Sequence, residues 1–185
     1  MSMDLSVAPL NRPTGYPAEF ERELDLGRGR VVFIRPVVPD DAPLVERELQ
    51  RADEDTIYNR FFRAPVRLDA AQLDRLTTLD YDRRFAVAAF GARGDGVAVA
   101  RYETTAPGVA EIAIVVRNDW RKLGLGLALI ADLERAAVAR GIQHLDAYYL
   151  SDNHAIEALL ARSGFEVGIR DGEVSTAKKD LLPGG

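Results

Sequence analysis

Residues 115–128 read Val-Val-Arg-Asn-Asp-Trp-Arg-Lys-Leu-Gly-Leu-Gly-Leu-Ala, and this stretch decides the fold. Its β-branched start is typical of a strand, its two glycines of a tight loop, and its apolar residues from Leu123 onward of a helix. Backbone N–H groups at a helix N-terminus bind anions, and glycines let a pyrophosphate approach closely. No GxxxxGK(S/T) motif occurs, and Leu129 stands where a dinucleotide-binding loop has its third glycine. We therefore expect an anion site of another type at residues 121–126.

The composition predicts one globular domain. The chain has 185 residues, of which 47% are hydrophobic and 29% are charged, as in ordinary folded proteins. Residues 1–20 contain prolines and a glycine without any periodic pattern, so we expect a flexible arm there and a single domain over residues 21–185. The formal net charge of -5 argues against nucleic acid as a partner.

The scarcity of cysteine and histidine excludes several classes of site. The chain has no cysteine, which excludes disulfides, thiolate metal sites and a cysteine nucleophile and predicts a reducing, cytoplasmic location. It has only two histidines, and we expect no metal site. Neither a leader pattern nor a long apolar run is visible, so we expect no membrane association.

The remaining pattern predicts a mixed α+β fold with about six to seven strands, mostly antiparallel and flanked by helices. Glycine-rich turns separate the strand runs, and capping residues precede the helical runs. A capping box at Asp69 and Gln72 starts one helix, and Gly141 is placed to end another. The predicted strands are 31–35, 85–90, 97–105, 109–117, 144–150, 166–170 and 174–178. Residues 23–29 before the first of them predict either a hairpin or a tight turn into that strand. The predicted helices are 41–51, 53–60, 70–79, 123–140 and 154–163.

The loop resembles motif A of the GNAT superfamily of N-acetyltransferases, which reads (R/Q)xxGx(G/A). Arg121, Gly124 and Gly126 fill its three fixed positions, and Asn153 with Gly164-Phe165 fits the motif that follows. The resemblance implies the GNAT fold, with a sheet that splays between residues 109–117 and 144–150, and acetyl-CoA as donor. The implied CoA-binding residues are Val115, Val116, Arg121, Lys122, Leu123, Gly124, Leu125, Gly126, Leu127 and Asn153. Asn153 could instead only cap its helix.

The chain departs from the superfamily pattern at three positions. Lys122 replaces a frequent glycine, and Leu127 replaces a frequent serine or threonine that adds a phosphate contact. Leu160 stands where many members have the tyrosine that protonates the leaving thiolate. These departures keep a non-catalytic acyl-CoA-binding module open as an alternative.

Acyl transfer to an amine also needs a base, because an amine with a pKa near 10.4 is protonated at neutral pH. Glu111 is the only acidic residue of the run 109–117, and the resemblance to lysine acetyltransferases implies a catalytic glutamate in the matching segment 110–113. Alternation places Glu111 and Ala113 on one strand face. Glu111 could instead be a solvated carboxylate or a partner of Arg101, in which case Glu103 is the reserve base.

Segments 58–62, 76–82 and 100–102 look like those of bacterial protein-lysine acetyltransferases that act on acyl-CoA synthetases. This narrower resemblance implies a protein lysine as acceptor and an acyl-CoA synthetase as a possible partner. A small-molecule amine acetyltransferase, which would need a closed pocket near Glu111, stays open. The sequence makes no prediction of the oligomeric state.

Overall fold

The computed structural model describes residues 11–51, 68–168 and 172–181, and these form one mixed sheet with flanking helices. The strands are β1 (Arg22–Asp25), β2 (Val31–Pro36), β3 (Arg84–Phe90), β4 (Gly96–Ala106), β5 (Val109–Val116), β6 (His144–Leu150), β7 (Glu166–Val167) and β8 (Val174–Asp180). The helices are α1 (Ala42–Arg51), α2 (Ala70–Thr77), α3 (Leu125–Ala139) and α4 (His154–Arg162). The predicted mixed α+β class is confirmed. The predicted helix at 53–60 and the whole of segment 58–62 lie outside the described residues.

The sheet has eight strands in the order β1-β2-β3-β4-β5-β6-β8-β7, slightly more than predicted. The pairs β1–β2, β2–β3, β3–β4 and β4–β5 are all antiparallel. Short turns connect the first, third and fourth of these pairs, whereas helices α1 and α2 lie between β2 and β3. The additional strand is the short edge strand β1, with 4 residues; the other edge strand, β7, has 2 residues and lies within the predicted run 166–170. Short edge strands are common, since they limit pairing with other chains.

The sheet opens into a fork between β5 and β6. These two strands are parallel and pair only from Val109 opposite His144 to Ile112 opposite Ala147. Beyond that point β5 stays paired with β4 as far as Val116, and β6 stays paired with β8 as far as Leu150. Strand β4 therefore holds one arm of the fork and strand β8 holds the other. The gap between β5 and β6 is thus a regular feature of the fold and not a frayed end of the sheet.

The two faces of β5 have different surroundings. Ala110 and Ile112 are buried on the face that α3 covers, where an apolar core forms with the buried face of α3, including Leu129 and Leu133. Glu111 is exposed on the opposite face. This alternation follows directly from the pleat of the strand, and it places the Glu111 carboxylate on the face of β5 opposite α3, where it is exposed to solvent.

The end of the predicted N-terminal arm contacts the domain. Phe20 is only 2% exposed, and its ring lies 4.9 Å from that of Phe85. Tyr16 packs edge-on against Tyr81 at 5.8 Å between ring centroids. The boundary at residue 21 stays a prediction, but this contact sets the start of the core at or before Phe20.

Helix ends follow local capping chemistry. The Asp69 carboxylate accepts a 2.8 Å hydrogen bond from the Gln72 backbone N–H, and the Gln72 side-chain oxygen accepts a 2.9 Å hydrogen bond from the Asp69 backbone N–H. The predicted capping box is therefore present. The helix it starts ends at Thr77, two residues before the predicted end. Gly141 has a φ of 73°, as expected for a residue that ends a helix. In the described ranges no helix combines the length and apolar character that crossing a membrane requires.

Candidate functional site

A cavity of about 590 Å³ occupies the fork and continues to the loop before α3. Most of the predicted site residues line it: Glu111, Val115, Val116, Arg121, Lys122, Gly124, Gly126, Leu127 and Asn153. The other two predicted residues, Leu123 and Leu125, do not line it, and Leu125 is buried in the core with 1% exposure. The cavity therefore joins the predicted base to the predicted anion loop in one continuous space.

The loop before α3 has an unusual backbone. Lys122 has a φ of 61° and Gly124 a φ of 87°, so both residues adopt the left-handed conformation. This delays the start of α3 to Leu125, two residues later than predicted. The Arg121 Nε donates a 3.0 Å hydrogen bond to the Val116 carbonyl oxygen, which ties the loop back to the end of β5.

The open side of the loop is large enough for an anion. A Cβ added to Gly124 would meet no atom within 4 Å, so no protein group fills the space beside it. The first N–H groups of α3 have no helical acceptor and carry the positive end of the helix dipole. Glycine at this position adopts the left-handed backbone without strain and leaves space that would let a phosphate approach closely.

Residue 126 is a glycine for a different structural reason, which is helix packing. A Cβ at this position would lie 2.9 Å from the Leu159 Cδ2 of α4, closer than real atoms approach. The small residue therefore permits close packing of α3 against α4. The sequence motif could not separate this packing role from a phosphate contact, because both need a residue without a side chain.

An ion-pair clamp holds the turn that leads into the loop. The Arg117 guanidinium binds Asp119 and Asp95, each at 2.7 Å. Its hydrogen bonds to Asp119 hold the pKa of that carboxyl below its ordinary value, and the Arg117 pKa is raised in turn. The stabilisation that the Asp119 ion pair contributes is thus fully present above the ordinary aspartate pKa near 3.9. It is lost only as pH falls through the lower pKa that Asp119 has in the folded protein. The clamp is intact at neutral pH.

Substitutions of Lys122 can separate the effect of its positive charge on CoA binding from the effect of its left-handed backbone conformation on stability. Replacing it with glycine removes a left-handed strain of about 1–2 kcal/mol but adds about 0.5–1 kcal/mol of backbone entropy cost. We expect the free energy of unfolding of K122G to change by less than about 1 kcal/mol, while its dissociation constant for CoA rises several-fold. The measurements are chemical denaturation and calorimetry.

The matched control is K122Q, which keeps a side chain on the same strained backbone. If charge is what Lys122 supplies, K122Q weakens CoA binding as much as K122G does, and more so at low salt. Unchanged affinity in both variants would show that Lys122 plays no part in holding the phosphates.

The second motif falls at the start of α4. The Asn153 side chain accepts a 3.2 Å hydrogen bond from the Ile156 N–H, so it caps the helix while also lining the cavity. Capping and ligand contact are therefore compatible. Leu160 is 1% exposed, and its side chain offers no proton where many members of the GNAT superfamily have a tyrosine.

Three carboxylates lie side by side across the sheet at the apex of the fork. Glu111 is opposite Glu103 on β4 and opposite Asp146 on β6. Glu103 forms an ion pair with Arg75. Glu111 lines the cavity and Glu103 does not, so Glu111 is the better placed candidate base. Directly opposite residues share a sheet face, so Asp146 lies on the same side as Glu111. Sequence reasoning missed Asp146 because the strand register was not visible.

Sequence reasoning also missed Tyr148 and helix α4 as parts of the cavity wall. Tyr148 is 48% exposed and lines the cavity from β6, on the same face as Asp146. Ile156 and Leu159 line it from α4. The alternation of His144, Asp146 and Tyr148 along β6 was the available signal, but it needed the pairing with β5 to place these residues at the site.

Comparison with known proteins gives consistent matches. The Acetyltransferase (GNAT) family profile matches residues 48–165. Acetyltransferase Pat of Mycolicibacterium smegmatis is 33% identical over 168 residues, which cover 84% of this chain and 49% of that protein. The chain therefore spans about half the length of that relative. Acetyltransferase PA5475 of Pseudomonas aeruginosa is 30% identical over 156 residues, which cover 82% of this chain and 83% of that protein.

A solved structure matches the fold closely. The crystal structure of the GNAT domain of S. lividans PAT superposes with a TM-score of 0.82 and 28% sequence identity. The match covers 90% of this chain and 99% of that chain. The described fold thus has a counterpart among experimental structures.

Proposed function

This chain belongs to the GNAT acetyltransferase family, and from that premise we propose that it transfers an acetyl group from acetyl-CoA to a lysine side chain of another protein. The observation that carries the proposal is the position of Glu111. Its exposed carboxylate lies on the last paired residues before the fork, in the same cavity as the anion loop. The proposed base and the proposed phosphate-binding loop thus line one cavity, and we place the pantetheine arm in the gap between β5 and β6 that joins them.

The donor would bind along the cavity. Its pyrophosphate would accept hydrogen bonds from backbone N–H groups of residues 121–126, with the Lys122 ammonium nearby. Its pantetheine arm would lie in the fork, where residues 113–116 have no strand partner on the β6 side. Amides of the arm can pair with this free edge as an added strand does. The thioester would then lie beside Glu111.

Glu111 would act as general base. The lysine ammonium must lose a proton before its nitrogen can attack the thioester carbonyl, and a carboxylate directly or through water can accept it. A backbone N–H near Val116 would stabilise the tetrahedral oxyanion. Because Leu160 has no proton to give, the departing thiolate would take its proton from water.

The exposed acceptor side favours a protein lysine. Glu111 and Tyr148 are both accessible on the open face of the sheet, and Asp146 adds negative charge beside them. The negative charge of this surface attracts the cationic lysine side chain, and its aromatic ring can pack against the residues that flank that lysine in the acceptor protein. The resemblance of segment 76–82 to protein-lysine acetyltransferases supports the same acceptor class, with an acyl-CoA synthetase as the proposed partner and the cytoplasm as the proposed location.

A non-catalytic acyl-CoA-binding module is the second candidate, and the apolar, buried Leu160 is the observation that favours it. Free thiol release separates the two. An enzyme releases CoA thiol in proportion to added amine, whereas a binding module releases none above the rate of spontaneous hydrolysis.

The acceptor is tested by incubating the protein with acetyl-CoA and a folded acyl-CoA synthetase and mapping modified lysines by mass spectrometry. We expect one or a few lysines to be acetylated at rates at least about 10²-fold above those without enzyme, the scale of general-base catalysis. Parallel reactions with spermidine and an aminoglycoside serve as controls. Saturable turnover on these amines without site-specific protein acetylation would contradict the protein-lysine acceptor.

A further inference from the structure

The chain has three lysines, and the structure gives each a different environment. Lys122 lies in the loop that lines the cavity. The Lys179 Nζ donates to Glu134 at 2.7 Å and to the Ser163 carbonyl oxygen at 2.6 Å, on the face covered by α3. Lys178 is the next residue on the same strand and therefore points to the opposite face, where it is exposed. Within ranges 11–51, 68–168 and 172–181 its side-chain ammonium makes no hydrogen bond or ion pair.

The strand register places Lys178 in line with the proposed base. Lys178 on β8 lies opposite Asp146 on β6, and Asp146 lies opposite Glu111 on β5. All three side chains share one sheet face, because directly opposite residues point the same way. At about 4.8 Å between strands, Lys178 is about 10 Å from Glu111 at the backbone and about 7 Å from the midline of the fork. The flexible four-carbon stem of a lysine covers most of that distance.

We propose that Lys178 is a self-acetylation site, modified within its own chain by acetyl-CoA bound in the fork. This inference rests on the proposed function, since it uses the same donor and the same base. Glu111 accepts a proton from the Lys178 ammonium, and the amine nitrogen attacks the thioester carbonyl. A C–N bond forms, the C–S bond breaks, and the nitrogen gives its second proton to water to become the neutral amide. CoA leaves as a thiolate that takes a proton from water.

The modification removes the cation from the middle of this row. Lys178 lies between Asp146 on one side and Glu166 on the other. Once its charge is neutralised, the open face beside Glu111 becomes more acidic and binds a cationic acceptor more strongly. Acetylated protein should therefore show a lower KM for a lysine peptide than unmodified protein does, with a smaller change in kcat.

The test follows acetylation of each lysine by mass spectrometry after acetyl-CoA is added to the whole chain. We expect Lys178 to be modified at least about tenfold faster than Lys179, its neighbour and internal control. The rate per chain should be unchanged when the protein is diluted about 100-fold at constant acetyl-CoA, as an intramolecular step requires. This dilution arm needs no variant.

A mixing arm checks the route independently. ¹⁵N-labelled E111Q protein is incubated with unlabelled wild-type protein, and the Lys178 peptides of the two chains are distinguished by mass. We expect acetylation of the unlabelled peptide and at least about 10²-fold less of the labelled one. Modification of the labelled chain, or a rate that rises with protein concentration, would overturn the intramolecular route.

A lysine-containing peptide in the same reactions separates this inference from the proposed function. Transfer to the peptide with no modification of Lys178 would overturn the self-acetylation and leave the acetyltransferase activity standing. Modification of Lys178 without transfer to any added amine would support the inference and overturn the external acceptor. Neither transfer to the peptide nor modification of Lys178 would overturn both.

Discussion

Replacing Glu111 with glutamine should lower kcat by about 10²-fold or more near neutral pH, while the affinity for CoA changes little. Glutamine has nearly the same shape, but its amide cannot accept the ammonium proton. The proposed CoA-binding loop lies in another part of the cavity and keeps its own hydrogen bond from Arg121 to Val116. Binding and chemistry should therefore separate. Steady-state thiol release and calorimetry measure the two effects, and the rate of E111Q should recover as pH rises toward the pKa of the amine.

E103Q is the matched control for this prediction. Glu103 lies directly opposite Glu111 but is engaged with Arg75, so its loss should change kcat by less than about tenfold. The reverse ranking, with E103Q slow and E111Q near the wild-type rate, would assign the base role to Glu103. A wild-type rate in both variants across the pH range would show that neither glutamate is the base and that bulk water removes the proton.

Replacing Gly124 with valine should abolish measurable CoA binding at concentrations that saturate the wild-type protein. The valine side chain would occupy the open space where the pyrophosphate is expected, next to the first N–H groups of α3. A β-branched residue is also strained at a φ of 87°, at a cost of about 1–3 kcal/mol. Calorimetry with CoA and thermal unfolding report the two effects separately.

G141V provides the matched control because Gly141 follows the other end of α3. It has a φ of +73°, and a Cβ there also meets nothing within 4 Å. Both variants should lose similar stability, but only G124V should lose CoA affinity. Equal CoA affinity in folded G124V and wild-type protein would show that the pyrophosphate binds elsewhere.

Local signals in the sequence were sufficient for much of the fold. The capping box at Asp69 and Gln72 and the helix-ending Gly141 depend on neighbours within a few residues, and the structure has both. The alternation in β5 correctly placed Glu111 on the face opposite Ile112, because a pleat fixes that relation wherever the strand pairs. The position of the fork followed from the family resemblance rather than from periodicity.

Features that depend on distant residues were not accessible in the same way. The late start of α3 at Leu125 results from the left-handed backbone at Lys122, and a lysine gives no sequence signal for that conformation. The packing role of Gly126 depends on Leu159, a residue of another helix. The alignment of Asp146 with Glu111 depends on the register of two parallel strands joined by α3. Each of these needs tertiary contacts.

A crystal structure of the protein with CoA tests the central claim most directly. We predict the pyrophosphate on the backbone N–H groups of residues 121–126, the pantetheine arm between β5 and β6, and the sulfur beside Glu111 at the apex of the fork. CoA bound with its sulfur away from the fork, or with its phosphates outside the loop, would contradict the account.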